Sequence, residues 1–392
     1  MKKIRVLHIN NTGNKSGVSL SLEELVRILK KKNISSKIYI SKYTGNIFYK
    51  FITKLIKKFI FNPFQSSISL NIFPSNFIEN INNSNIDVVN FHWIGNDILS
   101  IEEMGKITKP VVWSLYDMWP FTSVEHYTFD NDFINGYKKK KFSLKYFFFK
   151  RKLKSYKKKW LIVSASSWLF MLAKKSILLK KNKNFLIPHP INFNFWKPQK
   201  KNNFRKKFNI DKDKFVILFI GHSPSNNYRK GFDLLLDSVA LLDNYLQKKI
   251  SIICFGGQGR KYINYKFPIH YINANYSKKF RRSLYSASDL MASPSRLENL
   301  SMTCLESNSC GLPNIIFDKT GLVDIVKHNY NGYVAKSFSK KDFANGLKKM
   351  ITKKSFLRKI SLNCRKSIIK NFNEKDIARS YSEVYKSFFK EY

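Results

Sequence analysis

Cysteine is scarce in this chain of 392 residues, limited to Cys254, Cys304, Cys310 and Cys364. All four fall within strand-like or helix-like patterns without ligand spacing, which excludes a disulfide framework and a zinc site and fits a reduced, cytoplasmic setting. Long apolar runs are missing too. The nearest, Trp160 to Ala173, is interrupted by three serines and falls short of the ~20 residues a membrane span needs. The opening run, Met1 to Asn10, reads as a first strand rather than a signal peptide. There is no G-x-G-x-x-G: the loop after the first strand lacks it, and Gly256-Gly257-Gln258-Gly259 is followed by Tyr262, so a dinucleotide site is not supported. Two D-x-D triplets, Asp130-Asn131-Asp132 and Asp211-Lys212-Asp213, lie in polar, lysine-rich loops rather than after a strand, so a metal-held diphosphate is not expected. Placement at strand ends suggests no Ser-His-Asp or Cys-His set.

Acidic residues are the other shortage. Asp and Glu number 26 against 71 Lys and Arg, a formal net charge of +45. Such a chain meets polyanions, either nucleic acid or an anionic membrane surface, although a usage rich in Lys, Asn, Ile and Phe, typical of AT-rich coding, supplies part of the excess. Two stretches combine charge with aromatics. Ile47 to Ile60 sets Lys50, Lys54, Lys57 and Lys58 at helical spacing against an aromatic-aliphatic face, a pattern shared by interfacial helices and by ordinary helices covering a sheet. Lys138 to Lys159 repeats it around Tyr146-Phe147-Phe148-Phe149. No RRM-like aromatic strand, KH glycine loop or zinc knuckle accompanies these blocks, which favours a membrane over nucleic acid.

What is present suits two α/β domains, because the chain is too long for one ordinary core. The first strand, Ile4 to Asn10, runs into the glycine-containing loop Asn11–Gly17. A helix follows, with Ser21 and Glu24 at capping-box spacing. Two buried strands deliver polar groups at their C-terminal ends, where open α/β sheets bind ligands: Asp87–Trp93 ends in His92 and Trp93, and Pro110–Phe121 ends in Tyr116-Asp117-Met118-Trp119. His126 downstream has two readings, a partial substitute for an imidazole at the Tyr116 position and, more commonly for a lone loop histidine, an exposed residue. The polar run Gln199 to Lys214 reads as a linker with a short helix. A second strand–helix series opens with Phe215–Gly221, and Arg229-Lys230-Gly231 starts the next helix. A lysine there opposes the helix dipole unless an anion sits nearby.

The most informative stretch is Ser288 to Phe317. It reads as a strand (Leu290 to Ser293), a loop broken by Pro294, a helix with Ser301 as N-cap, then Gly311 and Pro313 before another strand. Free backbone N–H groups at such a helix start suit a phosphate. Glu298 in the loop and Glu306 in the helix could accept bonds from the hydroxyls of its carrier. The chemistry suggested is a nucleotide sugar.

This frame, with Glu298 and Glu306 in E-x7-E spacing, resembles the signature of family 4 retaining glycosyltransferases of GT-B fold. Glu-Asn-Leu-Ser-Met-Thr-Cys-Leu-Glu looks like the variant common among bacterial surface-polysaccharide enzymes. The His92-Trp93 and Leu115–Phe121 segments are similar to the same subfamily, with Tyr116 standing where those relatives have a histidine. The resemblance implies two doubly wound Rossmann-like domains facing a central cleft, an acceptor-side domain over residues 1–192, a nucleotide-sugar domain over 193–371, and a terminal helix, 372–392, returning to the first. It implies that Glu298, Lys230 and Tyr116 serve catalysis. Glu306, Gly17, Arg229, Gly221 and the Leu300, Ser301, Met302 and Thr303 amides would bind the donor, and His92, Trp93 and Asp117 would line the acceptor side. A phenol in place of an imidazole cannot serve as a base near neutral pH.

The expected substrates are a UDP- or GDP-sugar and a glycan or polyprenyl-linked acceptor at the inner membrane face, with no metal and no further cofactor; the oligomeric state is open. Three alternatives stay open: a basic nucleic-acid-binding protein, a pyridoxal-dependent GT-B phosphorylase, and a catalytically degenerate glycosyltransferase-like binding module.

Overall fold

The computed structural model describes residues 3–12, 16–40, 47–60, 67–75, 77–200, 202–207, 209–224, 227–257, 265–273 and 277–389. Part of the first glycine-containing loop (13–15) and of the Gly256–Gly259 turn (258–264) lie outside them. The chain divides into two compact units, Met1–Pro190 with Glu374–Tyr392, and Ile191–Asn373.

Unit 1 holds a six-stranded sheet built from β1 (Ile4–Ile9), β2 (Ile34–Tyr39), β3 (Val88–Phe91), β4 (Val111–Leu115), β5 (Leu161–Ser164) and β6 (Asn184–Leu186), in the order β2-β1-β3-β4-β5-β6. All pairings are parallel, and β3 and β4 are buried along their whole length. That explains why their sequences read as largely apolar runs, interrupted only by Asn90 and Ser114, instead of alternating ones. The order reverses between β1 and β3. Both strands end there, which makes Asn10–Thr12 and His92-Trp93 neighbours of the unit's switch point, where ligands of such sheets bind.

The helix after β1 spans Gly17–Leu29 and is capped by Ser16, whose hydroxyl accepts from the Ser19 amide at 3.0 Å. The Ser21–Glu24 capping box is therefore corrected. Ser21 lies buried inside the helix, and Glu24 accepts from Arg27 Nε at 2.7 Å. The cap sits one turn earlier than the spacing suggested, because Ser16 already has the extended backbone a cap requires. The final helix, Glu374–Lys386, packs on this unit. Ile377, Tyr381 and Tyr385 join Val6, Val88, Val112 and Val163 in one core. Asn90 Nδ2 donates to Tyr385 Oη at 2.7 Å, and Ser114 Oγ lies 3.2 Å from Tyr381 Oη.

Unit 2 has β7 (Phe215–Ile220), β8 (Ile250–Phe255), β9 (Ile269–Ile272), β10 (Leu290–Ser293), β11 (Asn314–Phe317) and β12 (Gly332–Ala335), in the order β12-β11-β10-β7-β8-β9. This is the doubly wound order of dinucleotide-binding sheets, with its reversal between β7 and β10. The Gln199–Lys214 run holds the short helix expected in it, Asn202–Lys207, but its reading as a linker is corrected. Arg205, in the Asn202–Lys207 helix, donates to Asp289 Oδ2 at 2.7 Å and to the Ala287 carbonyl at 2.9 Å, which fixes this run to unit 2. A polar composition conceals such anchoring, because an arginine with several donors can hold a loop as firmly as an apolar side chain.

Replacing Tyr385 by Phe leaves the buried Asn90 amide without its acceptor. The unfolding free energy should fall by about 1–3 kcal/mol, read as a lower denaturant midpoint at unchanged slope.

Candidate active site

At the unit 2 switch point, β7 ends in Gly221 and β10 runs into the loop Pro294–Leu300. Gly221 donates its amide to the Phe255 carbonyl at 3.0 Å, and a Cβ there would lie 2.9 Å from the Phe219 ring. Lys230 does not start the following helix. It closes the 3-10 turn Tyr228–Lys230, and the helix begins at Phe232. Gly231 between them has φ +71°, and a Cβ there would stand 2.0 Å from the Pro294 carbonyl oxygen, so the turn rests directly on the β10 loop. The Arg296 amide donates to the Arg229 carbonyl at 2.8 Å, and Arg296 Nη1 donates to the Tyr228 carbonyl at 2.7 Å and to Asp233 at 2.8 Å.

These contacts set Arg229 and Lys230 on one acid. Glu298 accepts from Arg229 Nη1 at 3.1 Å, pairs with Lys230, and has Ser295 Oγ at 3.4 Å. The anion expected beside Lys230 is thus supplied by the protein itself. Burial would raise the Glu298 pKa, but the charges of Lys230 and Arg229 outweigh it and bring it down to about 2. The residue is a fixed carboxylate at neutral pH.

The helix that follows is Met302–Ser309. Ser301 occupies the N-cap position, but its hydroxyl makes no capping bond and lies 2.9 Å from Thr303 Oγ1 instead. The capping expectation for Ser301 is corrected: the position is right and the bond is absent, which leaves the helix's first amides without a side-chain cap. Leu300 and Met302 bury their side chains, so only their backbone can face a ligand. Lys230, Ser295, Glu298, Ser301 and Thr303 line a small recess with Phe219, Ile220, Ser293 and Leu322.

Glu306 is fully buried and engaged. It accepts from Arg281 Nη2 at 3.0 Å and from Tyr285 Oη at 2.7 Å. Burial keeps its pKa raised, with Arg281 and then Tyr285 pulling the other way. Arg281 and Tyr285 were missed in the sequence. They lie one turn apart in the Lys278–Ala287 helix, a spacing that puts both side chains on one face.

In unit 1, a Cβ on Gly17 would meet nothing within 4 Å, so its surroundings are open. Tyr116 donates to Ser21 Oγ at 3.2 Å and stacks on His189, ring centres 4.6 Å apart. Burial, and secondarily Tyr381, raises its pKa, which removes any role as a base. His92 Nε2 lies 2.9 Å from His8 Nδ1, and its own Nδ1 is buried without a hydrogen-bond partner among the described residues. Burial first, then His8 and His189, lowers its pKa, so the ring is neutral.

Trp93 Nε1 donates to Asp117 Oδ2 at 2.8 Å, and Asp117 also meets His126 Nδ1 at 2.6 Å. His126 is buried, contrary to its reading as an exposed loop residue, and its Nε2 lies 2.7 Å from Ser69 Oγ. The Asp117–His126–Ser69 chain was not visible at strand ends because Ser69 reaches it from a loop far away in sequence. With all three buried, it orients Trp93 and offers no exposed nucleophile. Asp130 and Asp132 both pair with Lys140. Among the described residues no three His, Cys, Asp or Glu gather as a metal site, and no helix is long and apolar enough to cross a membrane.

A carboxylate held below its usual pKa stabilises the fold above about pH 4.5, and that share is lost as the pH falls toward 2. Glu298→Gln should therefore lose stability at pH 7 and show an acid-unfolding curve flatter by roughly 3 kcal/mol over this window, measured by denaturant titration at each pH.

Residues 200–367 match the model of the family described as Glycosyl transferases group 1. An uncharacterised glycosyltransferase of Methanocaldococcus jannaschii is 25% identical over 198 residues, covering 48% of this chain and 49% of the relative. An Escherichia coli UDP-Gal:alpha-D-GlcNAc-diphosphoundecaprenol alpha-1,3-galactosyltransferase is 32% identical over 91 residues, 23% of each chain. The chain thus spans about half the length, or less, of these curated relatives. Among solved structures, sucrose-phosphate synthase from Thermosynechococcus elongatus superposes with a TM-score of 0.68 at 13% identity, covering 98% of this chain and 99% of that one. Anabaena HepE in complex with UDP and glucose gives 0.62 at 13% identity, covering 98% and 100%. Residues 200–367 thus match a Glycosyl transferases group 1 domain, and the two six-stranded units have the GT-B fold.

Proposed function

We propose that the protein is a retaining, metal-independent glycosyltransferase that moves a sugar from a UDP- or GDP-sugar to a glycan or polyprenyl-linked acceptor in surface-polysaccharide biosynthesis, in the cytoplasm at the inner membrane face. The observation that carries this reading is the convergence of Glu298, Lys230 and Arg229 beside the uncapped start of the 302–309 helix, at the switch point of a doubly wound sheet. The donor's diphosphate would take hydrogen bonds from the Leu300–Thr303 amides and charge from Lys230 and Arg229, with Gly221 leaving room beside them. Lys230 and Arg229 would stabilise the charge growing on the leaving diphosphate, the electrostatic route to catalysis. Glu298, ionised at neutral pH, would accept from a sugar hydroxyl. Glu306, oriented by Arg281 and Tyr285, would accept from the ribose.

In unit 1, Trp93 would meet the acceptor, with the buried His92 ring beside it. Asp117, committed to Trp93 and His126, would hold that surface in place. Support for a nucleotide-sugar donor comes from the UDP complexes of Anabaena HepE. Support for a lipid-linked acceptor comes from the diphosphoundecaprenol named for the E. coli relative. Tyr116 favours a second reading, a binding module without turnover, because its hydroxyl is tied to Ser21 where a histidine is usual in the resembling subfamily.

Thermal-shift screening against UDP-, GDP- and ADP-sugars tests the donor site. A true donor at a hundredfold excess over Kd should add about 2.7 kcal/mol. Glu306→Gln keeps partners for Arg281 and Tyr285 and should remove most of the shift, whereas Glu306→Ala would also weaken the fold. An undiminished shift in Glu306→Gln would reject the assignment. Release of nucleoside diphosphate with acceptor present separates the transferase from the binding module.

A further inference from the structure

Arg296 lies outside the recess beside Glu298, yet its side chain is buried against partners on the neighbouring loop. Nη1 and Nη2 donate in parallel to Asp233 Oδ1 and Oδ2, the first at 2.8 Å, and Nη1 also donates to the Tyr228 carbonyl at 2.7 Å. The guanidinium lies over the Tyr228 ring, 3.6 Å from its centre. A planar fork that pairs with a carboxylate and stacks on a ring fixes both distance and angle, which a lysine cannot do. The two partners bracket Lys230. Tyr228 opens the 3-10 turn that Lys230 closes, and Asp233 stands in the first turn of the helix after it.

The attachment runs in both directions. Arg229, inside that turn, sends Nη1 to the Leu297 carbonyl at 2.9 Å, and the Arg296 amide donates to the Arg229 carbonyl at 2.8 Å. Each loop therefore holds the other through an arginine. A lysine side chain is long and rotatable, so the place of its ammonium depends on where its backbone is fixed. The Asp233 side chain is 49% exposed, and an ion pair so open to water contributes little to stability by itself. Its geometry suits placement better than stability.

We infer that Arg296, anchored on Asp233 and Tyr228, is a positioning residue that sets the Lys230 ammonium on Glu298. The clamp does not depend on what binds. Its consequence for a donor diphosphate rests on the transferase reading, in which a charged group misplaced by ~1 Å can cost about a hundredfold in rate.

Two measurements test it, the first without ligand. Carboxyl-carbon NMR of glutamate-labelled protein follows the Glu298 titration, its signal identified by its loss in Glu298→Gln. The midpoint, about 2 in the unaltered protein, should rise by at least one pH unit in Asp233→Ala and in Arg296→Lys. Removing the Asp233 charge would by itself lower that midpoint, and Arg296→Lys leaves the charge unchanged, so a rise in both reports displacement of Lys230. Asp233→Ala alters a half-exposed side chain and serves if Arg296→Lys does not fold. The second measurement uses whichever UDP-, GDP- or ADP-sugar gives the largest thermal shift. Asp233→Ala should raise its Kd at least tenfold, and Lys230→Gln/Asp233→Ala should bind no more weakly than Lys230→Gln alone. A Glu298 midpoint that stays or falls in the folded variants would overturn the inference, as would losses of affinity that add in the double variant. Should none of these sugars bind, the transferase reading fails and the titration alone decides the clamp.

Discussion

A buried carboxylate is tolerated only where cations and hydrogen bonds replace the water it has lost. In unit 2 Glu298 meets that condition through Lys230 and Arg229. The arrangement around it follows from this need. The 228–230 turn must approach the β10 loop closely, so Gly231 takes a left-handed backbone against the Pro294 carbonyl. The two loops must stay in register, and Arg296 bonds to Tyr228 and Asp233 from the opposite side. The result is a fixed group of charges beside a helix start, held together before any ligand arrives, and such preorganisation lets electrostatics act without reorganisation.

The sheet order supplies the position. In each unit the strand order reverses once, between β1 and β3 or between β7 and β10, and the loops leaving the two flanking strands diverge to opposite faces. Polar groups at those strand ends face space that neither following helix covers. In unit 1 the same logic places His92 and Trp93, and a buried chain of Asp117, His126 and Ser69 keeps the Trp93 indole in place. A hydrogen-bonded network so buried specifies one geometry, because any partner removed leaves another polar group unsatisfied.

Much of this was legible in the residues. Strands β10 and β11 fall where the apolar runs bounded by Pro294, Gly311 and Pro313 put them, since strand length and breakers are local properties. The pairing of a loop glutamate with a helical one, and the unusual lysine before Gly231, already marked the region as anion chemistry. The Ser21–Glu24 capping box failed because a spacing match says nothing about which serine has the extended backbone. The linker reading of Gln199–Lys214 failed because composition does not show where Arg205 will find Asp289.

The sequence by itself determined the two strand–helix series, the reduced cysteines, the excess of positive charge and the residue types of the candidate site, because these depend on period, composition and neighbours a few positions apart. Only the tertiary structure decided that Glu298 is an ion-paired carboxylate, that Arg281 and Tyr285 hold Glu306, that His126 is buried against Asp117, and that Arg296 pairs with Asp233. Each of those depends on contacts across tens of residues, and burial and pKa are set by what the folded chain brings near, which no local pattern contains.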